Sequence, residues 1–593
     1  MRKALILFFL VSLFQPAFAG QNVIWAVNDG EKIEKDDLNN PNKKSNSVWD
    51  GRRIKIFGGR NEIIAFQLIV QADVNGIERL SVSLAELKRV GGSDKISYVA
   101  PSSDPTNYVN RDVQLYSVNY MNITAASKAD WVFKPGSLST PADPLGWKAV
   151  QLVPENARQG RGGFPLAVAS NQNQAFWIEV YTKRDLKPGI YRGNVEVTAD
   201  GTKKSVPIEL EVFDFTLPDE NSMNAMIYFE SNQPELYQGR NMDAEYHRFA
   251  HRNRIELVNA YDIEKVQAAN GRFTGADFTR DKGYEGPGEN IGNRIIPRSF
   301  YGPGKDFDER ESAWKQSDTW MNFINRTHPR AITFLYLPDE PRPPEYPRII
   351  KIAENINTNP GPGKDLPTFV TKRYTKELDG AIDIWDAGPL GYDIQSALSE
   401  RAKGRHYWIY NGGRPAAGAI IIDAPATDPR ATIWASFKHG IDVYFYWHSV
   451  HWLHNSQKQG ERRQNIWAEP ITFDNRKQVN KPIDDKGYIN GDGVLIYPGQ
   501  ETIHPEEDRG IAGPISTVQL ANFRRGLQDH QYLTIARKLG LNSLVDESLQ
   551  EIVPKVFSDA GQRVSFPENG NAYEAARYKL AKAISQRARG GKQ

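Results

Sequence analysis

Apolar and polar residues alternate along much of the first third of the chain, which is typical of half-buried β-strands. The alternation is clear over residues 64–70, 191–197 and 208–212. Between the last two runs, Ala199-Asp200-Gly201-Thr202 has the composition of a tight hairpin turn. The pattern predicts an antiparallel β-sandwich over residues 20–218.

After Pro218 the pattern changes to short apolar runs separated by helical stretches, which predicts βα units and a parallel sheet. Eight such runs follow one another, and the third is the weakest; they cover residues 224–230, 255–261, 294–301, 331–337, 367–371, 381–387, 405–411 and 441–447. Eight strands close a (β/α)8 barrel. We therefore expect a TIM-type barrel over residues 219–540.

Several segments between and after these strands have the composition of helices. Helices are expected over residues 308–326, 348–357, 428–439 and 516–539. The third of these is followed by Gly440, the residue type preferred just past a helix C-terminus. A further strand at 493–497 is expected to complete the barrel, and residues 541–593 are expected to form a short helical tail.

The first nineteen residues predict a secretory signal peptide. Arg2 and Lys3 precede an apolar run over residues 4–14, and Ala17-Phe18-Ala19 has the small-x-small form of a cleavage site. The apolar run is too short to span a bilayer as a helix, so no membrane anchor is expected. The mature protein would begin near Gly20 and be periplasmic or secreted.

Composition narrows the function classes. The chain has 74 Lys and Arg against 72 Asp and Glu, so there is no excess of positive charge for nucleic acid or an anionic membrane. It contains no cysteine, which excludes disulfides, thiolate metal sites, a cysteine nucleophile and a lipoprotein anchor and favours a bacterial origin. The ten histidines show no metal-binding spacing. We expect neither a metal nor a cofactor.

Two adjacent acids follow the fourth predicted strand. Asp339 and Glu340 lie between Pro338 and Pro341, and active sites of TIM barrels lie at the strand ends. Neighbouring side chains of a regular strand point to opposite faces, so both acids can reach one pocket only outside the strand. The prolines favour such an irregular, rigid turn. A pair of carboxyl groups with separated pKa values is suited to cleaving a glycosidic bond, although a solvated turn or a helix N-terminus would also explain the acids.

Aromatic residues recur near the ends of the later strands, and sugar rings stack on aromatic faces. Most single aromatic residues belong to a core, but the recurrence favours a carbohydrate cleft. The residues expected to bind the substrate are Tyr336, Asp383, Trp385, Trp408, Tyr410, Asn411 and Trp447.

The order of several motifs resembles a known family. These motifs are Phe213 to Pro218, Tyr336 to Pro341, Asp383-Ile384-Trp385, Tyr410-Asn411-Gly412, Tyr446-Trp447, Gly491 to Gly499 and Arg525 to Asp529. Together they are similar to glycoside hydrolase family 123 and to related proteins with the domain of unknown function 4091. The likeness covers nearly the whole mature chain.

The resemblance implies a retaining β-N-acetylgalactosaminidase that uses substrate-assisted catalysis. In that mechanism the 2-acetamido oxygen of the substrate attacks the anomeric carbon, so a separate nucleophile is not required. Asp339 would orient the 2-acetamido group, while Glu340 would protonate the leaving oxygen and then activate water. The expected partner is a glycan or polysaccharide.

Two departures and two alternatives accompany this interpretation. This chain has His448 and Ser449 where relatives often carry an acid, and Leu527-Gln528 where many carry Glu. A conventional retaining glycosidase would use Glu340 with a second carboxylate, Asp386 or Asp442, as the nucleophile. A carbohydrate-binding protein without activity would keep the aromatic residues but have no need of the acid pair.

Overall fold

The computed structural model describes residues 22–134, 136–453, 463–476 and 487–590. The predicted signal peptide, residues 1–19, lies outside the described residues. Within those ranges, every helix is too short or too polar to cross a membrane.

The first part of the chain consists of strands. Their bounds are β1 Val23–Asn28, β2 Ile54–Arg60, β3 Glu62–Gln71, β4 Ile77–Ser83, β5 Glu86–Arg89, β6 Lys95–Ser97, β7 Val113–Ile123, β8 Gly146–Pro154, β9 Leu166–Val168, β10 Asn173–Thr182, β11 Gly189–Ala199 and β12 Thr202–Thr216. One sheet has the order β1-β3-β10-β7-β8, and a second has β2-β12-β11-β4-β9 with β5 and β6 beside β11. Phe66 and Trp177 of the first sheet share a hydrophobic core with Val195 and Leu210 of the second.

The hairpin of β11 and β12 forms as the sequence predicts. Ala199 pairs with Thr202, so Asp200 and Gly201 are the two residues of the turn. Both have positive φ, 48° and 82°, which matches the twist of the flanking strands. Asp200 also accepts hydrogen bonds from the backbone of Glu78 and Arg79 and so connects the turn to β4.

The second part of the chain contains a parallel sheet. Its strands are β13 Asn224–Tyr228, β14 Glu256–Val258, β15 Leu335–Tyr336, β16 Thr368–Val370, β17 Ile384–Ala387, β18 His406–Tyr410 and β19 Val443–Tyr446. Their order is β14-β13-β19-β18-β17-β16-β15. Seven of the eight predicted strands are therefore present, each shorter than the apolar run that predicted it. The chain combines a β region with an α/β region.

The third predicted strand, at 294–301, is not a regular strand. The carboxylate of Glu256 accepts the N–H groups of Arg294 and Ile295, and Pro297 has no N–H to donate. The segment nevertheless lies between the two outer strands. Its Pro297 oxygen accepts from the Tyr261 nitrogen at 3.0 Å, and its Ile296 nitrogen donates to the Ile332 oxygen at 3.0 Å.

The interior of this part is a second core. One buried hydrophobic cluster receives side chains from all seven strand segments and from residues 294–298. Its members are Met226, Val258, Ile295, Phe334, Tyr336, Phe369, Ile384, Trp408, Val443 and Phe445. The side chains converge because alternate residues of every segment point to the same face of the sheet.

Helices separate the parallel strands and follow them. They are α1 Asn232–Gln238, α2 Asp243–Arg252, α3 Ile263–Ala268, α4 Asn270–Thr274, α5 Arg310–Thr327, α6 Tyr346–Asn357, α7 Ile394–Ala402, α8 Asp428–Lys438, α9 Val518–Lys538, α10 Asn542–Ile552 and α11 Gly570–Gly590. The four helices that the sequence predicts are confirmed as α5, α6, α8 and α9. The tail contains α10 and α11, of which α11 packs on α9 and β12.

The strand expected at 493–497 to complete the barrel is found only as the short strand β22 at Tyr497–Pro498, and it joins a different sheet. The remaining strands are β20 Ile471–Asp474, β21 Tyr488–Asn490, β22 Tyr497–Pro498 and β23 Pro514–Thr517. Tyr497 of β22 pairs with β23, and β23 pairs with β8, so both extend the first sheet of the β region. The apolar run predicted a strand but carries no information about which sheet it joins.

A buried network of charges connects the β region, the helices and the tail. Arg525 of α9 contacts Glu62 of β3 at 2.9 Å and Glu574 of α11 at 3.1 Å. The other members are Asp29, Arg430, Asp529 and Arg577, and all seven side chains are at most 5% exposed. Burial raises the pKa of Asp29, against the opposite effect of Arg525.

Candidate active site

The turn after β15 presents the two acids that the sequence singled out. Leu337 still donates to the Phe369 oxygen at 2.9 Å, and Pro338, which lacks an N–H, ends the ladder. Asp339 and Glu340 are both exposed, and Glu340 has a φ of 42°. A non-glycine residue in this region stores about 1–2 kcal/mol of strain. The prediction that both acids lie outside a regular strand is confirmed.

Asp339 is oriented by two hydroxyl groups. Its Oδ1 atom accepts from the Tyr336 hydroxyl and from Thr371 Oγ1, each at 2.7 Å. Burial, and then the charge of Asp339, raise the pKa of Tyr336 far above its usual range, so the phenol remains a donor. Thr371 Oγ1 also accepts the Glu340 N–H at 2.9 Å and so supports both acids of the turn.

Glu340 is held by a tyrosine from another strand. The Tyr410 hydroxyl at the end of β18 donates to Glu340 Oε1 at 2.7 Å. Burial, and then the charge of Glu340, raise the pKa of Tyr410 and keep it protonated. The two neighbouring carboxyl groups therefore have separate tyrosine donors, which gives each a defined position and a different surrounding.

A cavity of about 900 Å³ lies over the acid pair at the carboxyl ends of the parallel strands. Asp339 and Glu340 line it together with Tyr410, Asn411 and Trp447, as the sequence predicts. Its aromatic lining residues are Trp131, Tyr228, Tyr301, Tyr410, Phe445, Trp447 and Phe473. A concave site with many aromatic faces and a few polar groups is the usual form of a small-molecule site.

Trp447 and Asn411 are fixed by mutual contacts. The Trp447 nitrogen donates to Asn411 Oδ1 at 3.1 Å, and its indole Nε1 donates to Asp492 Oδ1 at 2.9 Å. Asn411 has a φ of 57°, in the left-handed region that asparagine tolerates better than most residues. Burial raises the pKa of Asp492 to about 6. The indole thus forms a rigid wall of the cavity.

Four residues that were predicted to bind the substrate do not line the cavity. Trp385 is fully buried and donates to Glu400 of α7 at 3.1 Å, so it faces the helices. Trp408 and Tyr336 belong to the interior core, although Tyr336 reaches Asp339 with its hydroxyl. Asp383 precedes β17 and accepts from Thr368 at 2.9 Å at the opposite edge of the sheet. The parallel strands contribute to the cavity only through side chains at and beyond their carboxyl ends, so the structure does not bring these four residues to its lining.

The sequence reasoning missed an acid and histidine pair in the cavity. Glu230 follows β13 and His448 follows β19, and Glu230 Oε2 lies 3.4 Å from His448 Nε2. Hydrogen bonding to His448 lowers the pKa of Glu230 to about 2, so this carboxylate stays ionised. Each residue lies two positions after the last residue of its strand, so applying the strand-end rule to every strand would have found them.

The sequence reasoning also missed a contribution from the β region. Asp130 and Trp131, in the connection between β7 and β8, line the cavity. Trp131 is half-buried and packs edge-on against Phe473, with ring centroids 5.6 Å apart. No local pattern indicates this position, because it depends on how the two parts of the chain pack together.

Neither carboxylate considered as an alternative nucleophile lines the cavity. Asp386 is fully buried, and within the described ranges neither of its oxygens has a hydrogen-bond partner. Burial, and then Asp339, raise its pKa well above the usual range. Asp442 lies before β19 at the opposite edge, 3.3 Å from His406 Nδ1. In the described part of the chain, histidine and acidic residues form no cluster of three suited to a metal.

Comparison with known proteins shows a shared fold. A family 123 glycoside hydrolase from Clostridium perfringens, whose structural analysis concerns glycolipid glycan hydrolysis, is similar with a TM-score of 0.62 and 13% identity. The match covers 96% of this chain and 99% of that one. The two chains therefore share their overall fold over almost their whole lengths.

Other matches are much weaker. β-Glucuronidases from Parabacteroides merdae and Bacteroides uniformis each have 9% identity to this chain, with TM-scores of 0.23 and 0.21. They cover 65% and 72% of this chain and 62% and 69% of their own. No protein-family model matches the chain, and no curated protein matches it.

Proposed function

We propose that this protein is a retaining glycoside hydrolase that cleaves a β-linked 2-acetamido sugar, such as N-acetylgalactosamine, by substrate-assisted catalysis. The observation that carries the proposal is the acid pair: Asp339 and Glu340 occupy one strained turn, have separate tyrosine donors and line one aromatic cavity. Neighbouring residues of a turn can hardly reach opposite faces of an anomeric carbon. They suit a substrate that carries its own nucleophile.

In the proposed mechanism each acid has one role. The 2-acetamido oxygen of the substrate attacks the anomeric carbon while Glu340 donates its proton to the leaving oxygen. Asp339, held by Tyr336 and Thr371, accepts the acetamido N–H and stabilises the positive charge of the oxazolinium ion. Glu340 then removes a proton from water, which attacks the same carbon and restores the acetamido group with retention.

The shared fold supports an architectural part of the proposal. We infer that the seven parallel strands and residues 294–298 form a (β/α)8 barrel, braced by a β-sandwich from the two sheets of the β region. Hydrogen bonds from both sides of residues 294–298 and the common interior core support closure. The cavity would then occupy the usual position of an active site in such a barrel.

The cellular setting remains the one that the sequence predicts. We propose a bacterial protein that is exported with a cleaved signal peptide and acts on a glycan or polysaccharide outside the cytoplasm. The supporting features are the basic and apolar start of the chain and the lack of cysteine.

Paired aryl glycosides test the reaction. We expect hydrolysis of 4-nitrophenyl N-acetyl-β-D-galactosaminide, and none of 4-nitrophenyl β-D-galactoside, because only the first carries the internal nucleophile. A thiazoline that mimics the cyclised intermediate should inhibit the reaction. Hydrolysis of the galactoside without thiazoline inhibition would indicate a conventional glycosidase, and glycan binding without any hydrolysis would indicate a binding protein.

Trp131 tests whether the β region contributes to the substrate site. Trp131→Ala is expected to raise KM at least several-fold, because the variant loses a stacking interaction with the sugar that contributes about 1–3 kcal/mol of binding free energy. The stability should change little, because Trp131 is only half-buried. Trp385→Ala is the matched control, and it should lower the free energy of unfolding by about 3–5 kcal/mol because that indole is fully buried. Kinetics and thermal melts on both variants distinguish the roles. An unchanged KM in Trp131→Ala would exclude it from the substrate site.

A further inference from the structure

One wall of the cavity is basic. Arg342 follows the acid turn after β15, and Lys372 and Arg373 follow β16, so the three side chains come from neighbouring strand ends. All three line the cavity. We call these three residues the basic wall.

Lys372 places one positive charge next to the acid turn. Its Nζ atom donates to the Pro341 oxygen at 2.9 Å, and Pro341 directly follows Glu340. This contact uses one of the three ammonium hydrogens. The other two are available to a group in the cavity.

Of the three side chains in the basic wall, Arg373 makes the fewest hydrogen bonds and ion pairs. Within the described part of the chain, its guanidinium makes no hydrogen bond and no ion pair. Its stem lies against the 389–391 turn, since a Cβ atom on Gly391 would be 3.7 Å from Arg373 Cδ. The side chain is therefore supported at its base, while its five donors face the cavity rim or solvent.

Two other carboxylates of the cavity lining, Glu230 and Asp492, already have partners. Glu230 contacts His448 and accepts from Tyr228 at 3.1 Å. Asp492 accepts from Tyr446 and from Trp447, each at 2.9 Å. Both of these acids belong to the ends of other strands and their loops, whereas the acid pair Asp339 and Glu340 lies in the turn beside the basic wall.

We propose that the basic wall binds an anionic substituent, a carboxylate or a sulfate ester, on the sugar that adjoins the scissile bond. This inference rests on the proposed function and specifies its substrate class. Arginine binds either group through two parallel hydrogen bonds, and such charge-assisted bonds are stronger than neutral ones. The volume of about 900 Å³ lies at the upper end of the usual range for ligand sites, roughly 300–1,000 Å³, and so accommodates more than one sugar ring.

Calorimetric titration with matched tetrasaccharides tests this inference. The probes are 6-sulfated chondroitin tetrasaccharide, its unsulfated form, which keeps the carboxylates, and the unsulfated form with its carboxylates reduced to alcohols. Glu340→Gln serves as the background in order to prevent turnover. We expect at least one charged probe to bind about tenfold more tightly than the neutral probe, with an advantage that declines between about 50 and 300 mM salt.

Variants of the basic wall identify the contact. Adding Arg373→Ala to that background should weaken binding of the charged probe about tenfold or more and leave the neutral probe within about twofold, since one charge-assisted contact is lost. Arg373→Lys should fall between the two. Arg192→Ala, which removes an exposed cation of β11, is the control and should change neither affinity. A preference for the sulfated probe alone would identify a sulfate ester, and equal preference for both charged probes would identify the carboxylate.

The inference is overturned if the charged and neutral probes bind equally, if Arg373→Ala behaves like Arg192→Ala, or if no charged probe binds at about 1 mM. Hydrolysis of the neutral aryl glycoside by the wild type together with any of these results would remove only the anionic subsite. Charged probes that bind through Arg373 to a protein that cleaves no glycoside would instead contradict the proposed function and leave the anion site in place.

Discussion

Glu340→Gln is expected to lower kcat by about 100- to 10,000-fold on a glycoside with a poor leaving group, because the proton for the leaving oxygen is lost. The loss should be smaller for an aryl glycoside with a good leaving group, which departs without full protonation. Asp339→Asn should also impair turnover, because the acetamido group loses its anionic partner. Steady-state kinetics on both substrates with each variant measure these effects.

The same variants should remain folded. Both acids are exposed, and exposed substitutions usually change stability by less than about 0.5 kcal/mol. Glu354→Gln, an exposed change on the neighbouring helix α6, is the control and should keep wild-type kinetics. Wild-type turnover in both Glu340→Gln and Asp339→Asn would remove these residues from the mechanism. If the loss of kcat depended on the leaving group only in Asp339→Asn, Asp339 would be the general acid and Glu340 the partner of the acetamido group.

Glu62→Gln is expected to lower the free energy of unfolding by about 3–5 kcal/mol, because removing one partner leaves buried charges uncompensated. Glu62 is fully buried, and it contacts Arg577 and lies 2.9 Å from Arg525. The matched control is Glu209→Gln, which breaks a pair with the exposed Arg192 and should cost less than about 1 kcal/mol. Urea denaturation at pH 7 compares the two.

A double mutant and a pH series sharpen this test. In the double mutant Glu62→Gln with Arg577→Met, the loss in the free energy of unfolding should be smaller than the sum of the losses in the two single mutants, because both charges are removed together.

Burial alone would raise the pKa of Glu574. The charges of Arg525, Arg430 and Arg577 outweigh this effect and lower the pKa to about 2. A lowered folded pKa gives stability that is complete above the unfolded value and is lost as the pH falls towards 2. The free energy of unfolding of the wild type should therefore be retained at pH 5 and decline as the pH falls from about 4 towards 2, where Glu574 becomes protonated. Equal losses in Glu62→Gln and Glu209→Gln at pH 7 would contradict the role of the network.

Local signals in the sequence were sufficient for many elements. Helix α8 has Pro429 in its first turn and Gly440 after its end, and the structure gives nearly the predicted bounds. Asp339 and Glu340 were identifiable because prolines flank them at a strand end. The third strand was predicted but is not regular, because the Glu256 carboxylate accepts a backbone N–H group that a neighbouring strand would otherwise bind. This contact joins residues far apart in the sequence.

The remaining errors concern orientation and long-range packing. Trp385 and Trp408 are in predicted strands, but one faces a helix and the other the interior, and this depends on the register of each strand. Trp131 reaches the cavity from a connection in the β region, and β22 joins a sheet formed mostly by residues before 183. Such partners are determined by tertiary contacts that periodicity does not contain.

The pairing of β23 with β8 has a consequence for biosynthesis. During translation the edge of β8 is complete long before Pro514–Thr517 leaves the ribosome, because the whole parallel sheet is synthesised in between. An unpaired edge strand is a template for association with other chains. A β region that folded during translation would therefore have an open edge until β23 was made, and a protein cut after residue 218 would keep that edge permanently. Secretion as an unfolded chain, followed by folding of the full length at once, would avoid the exposure.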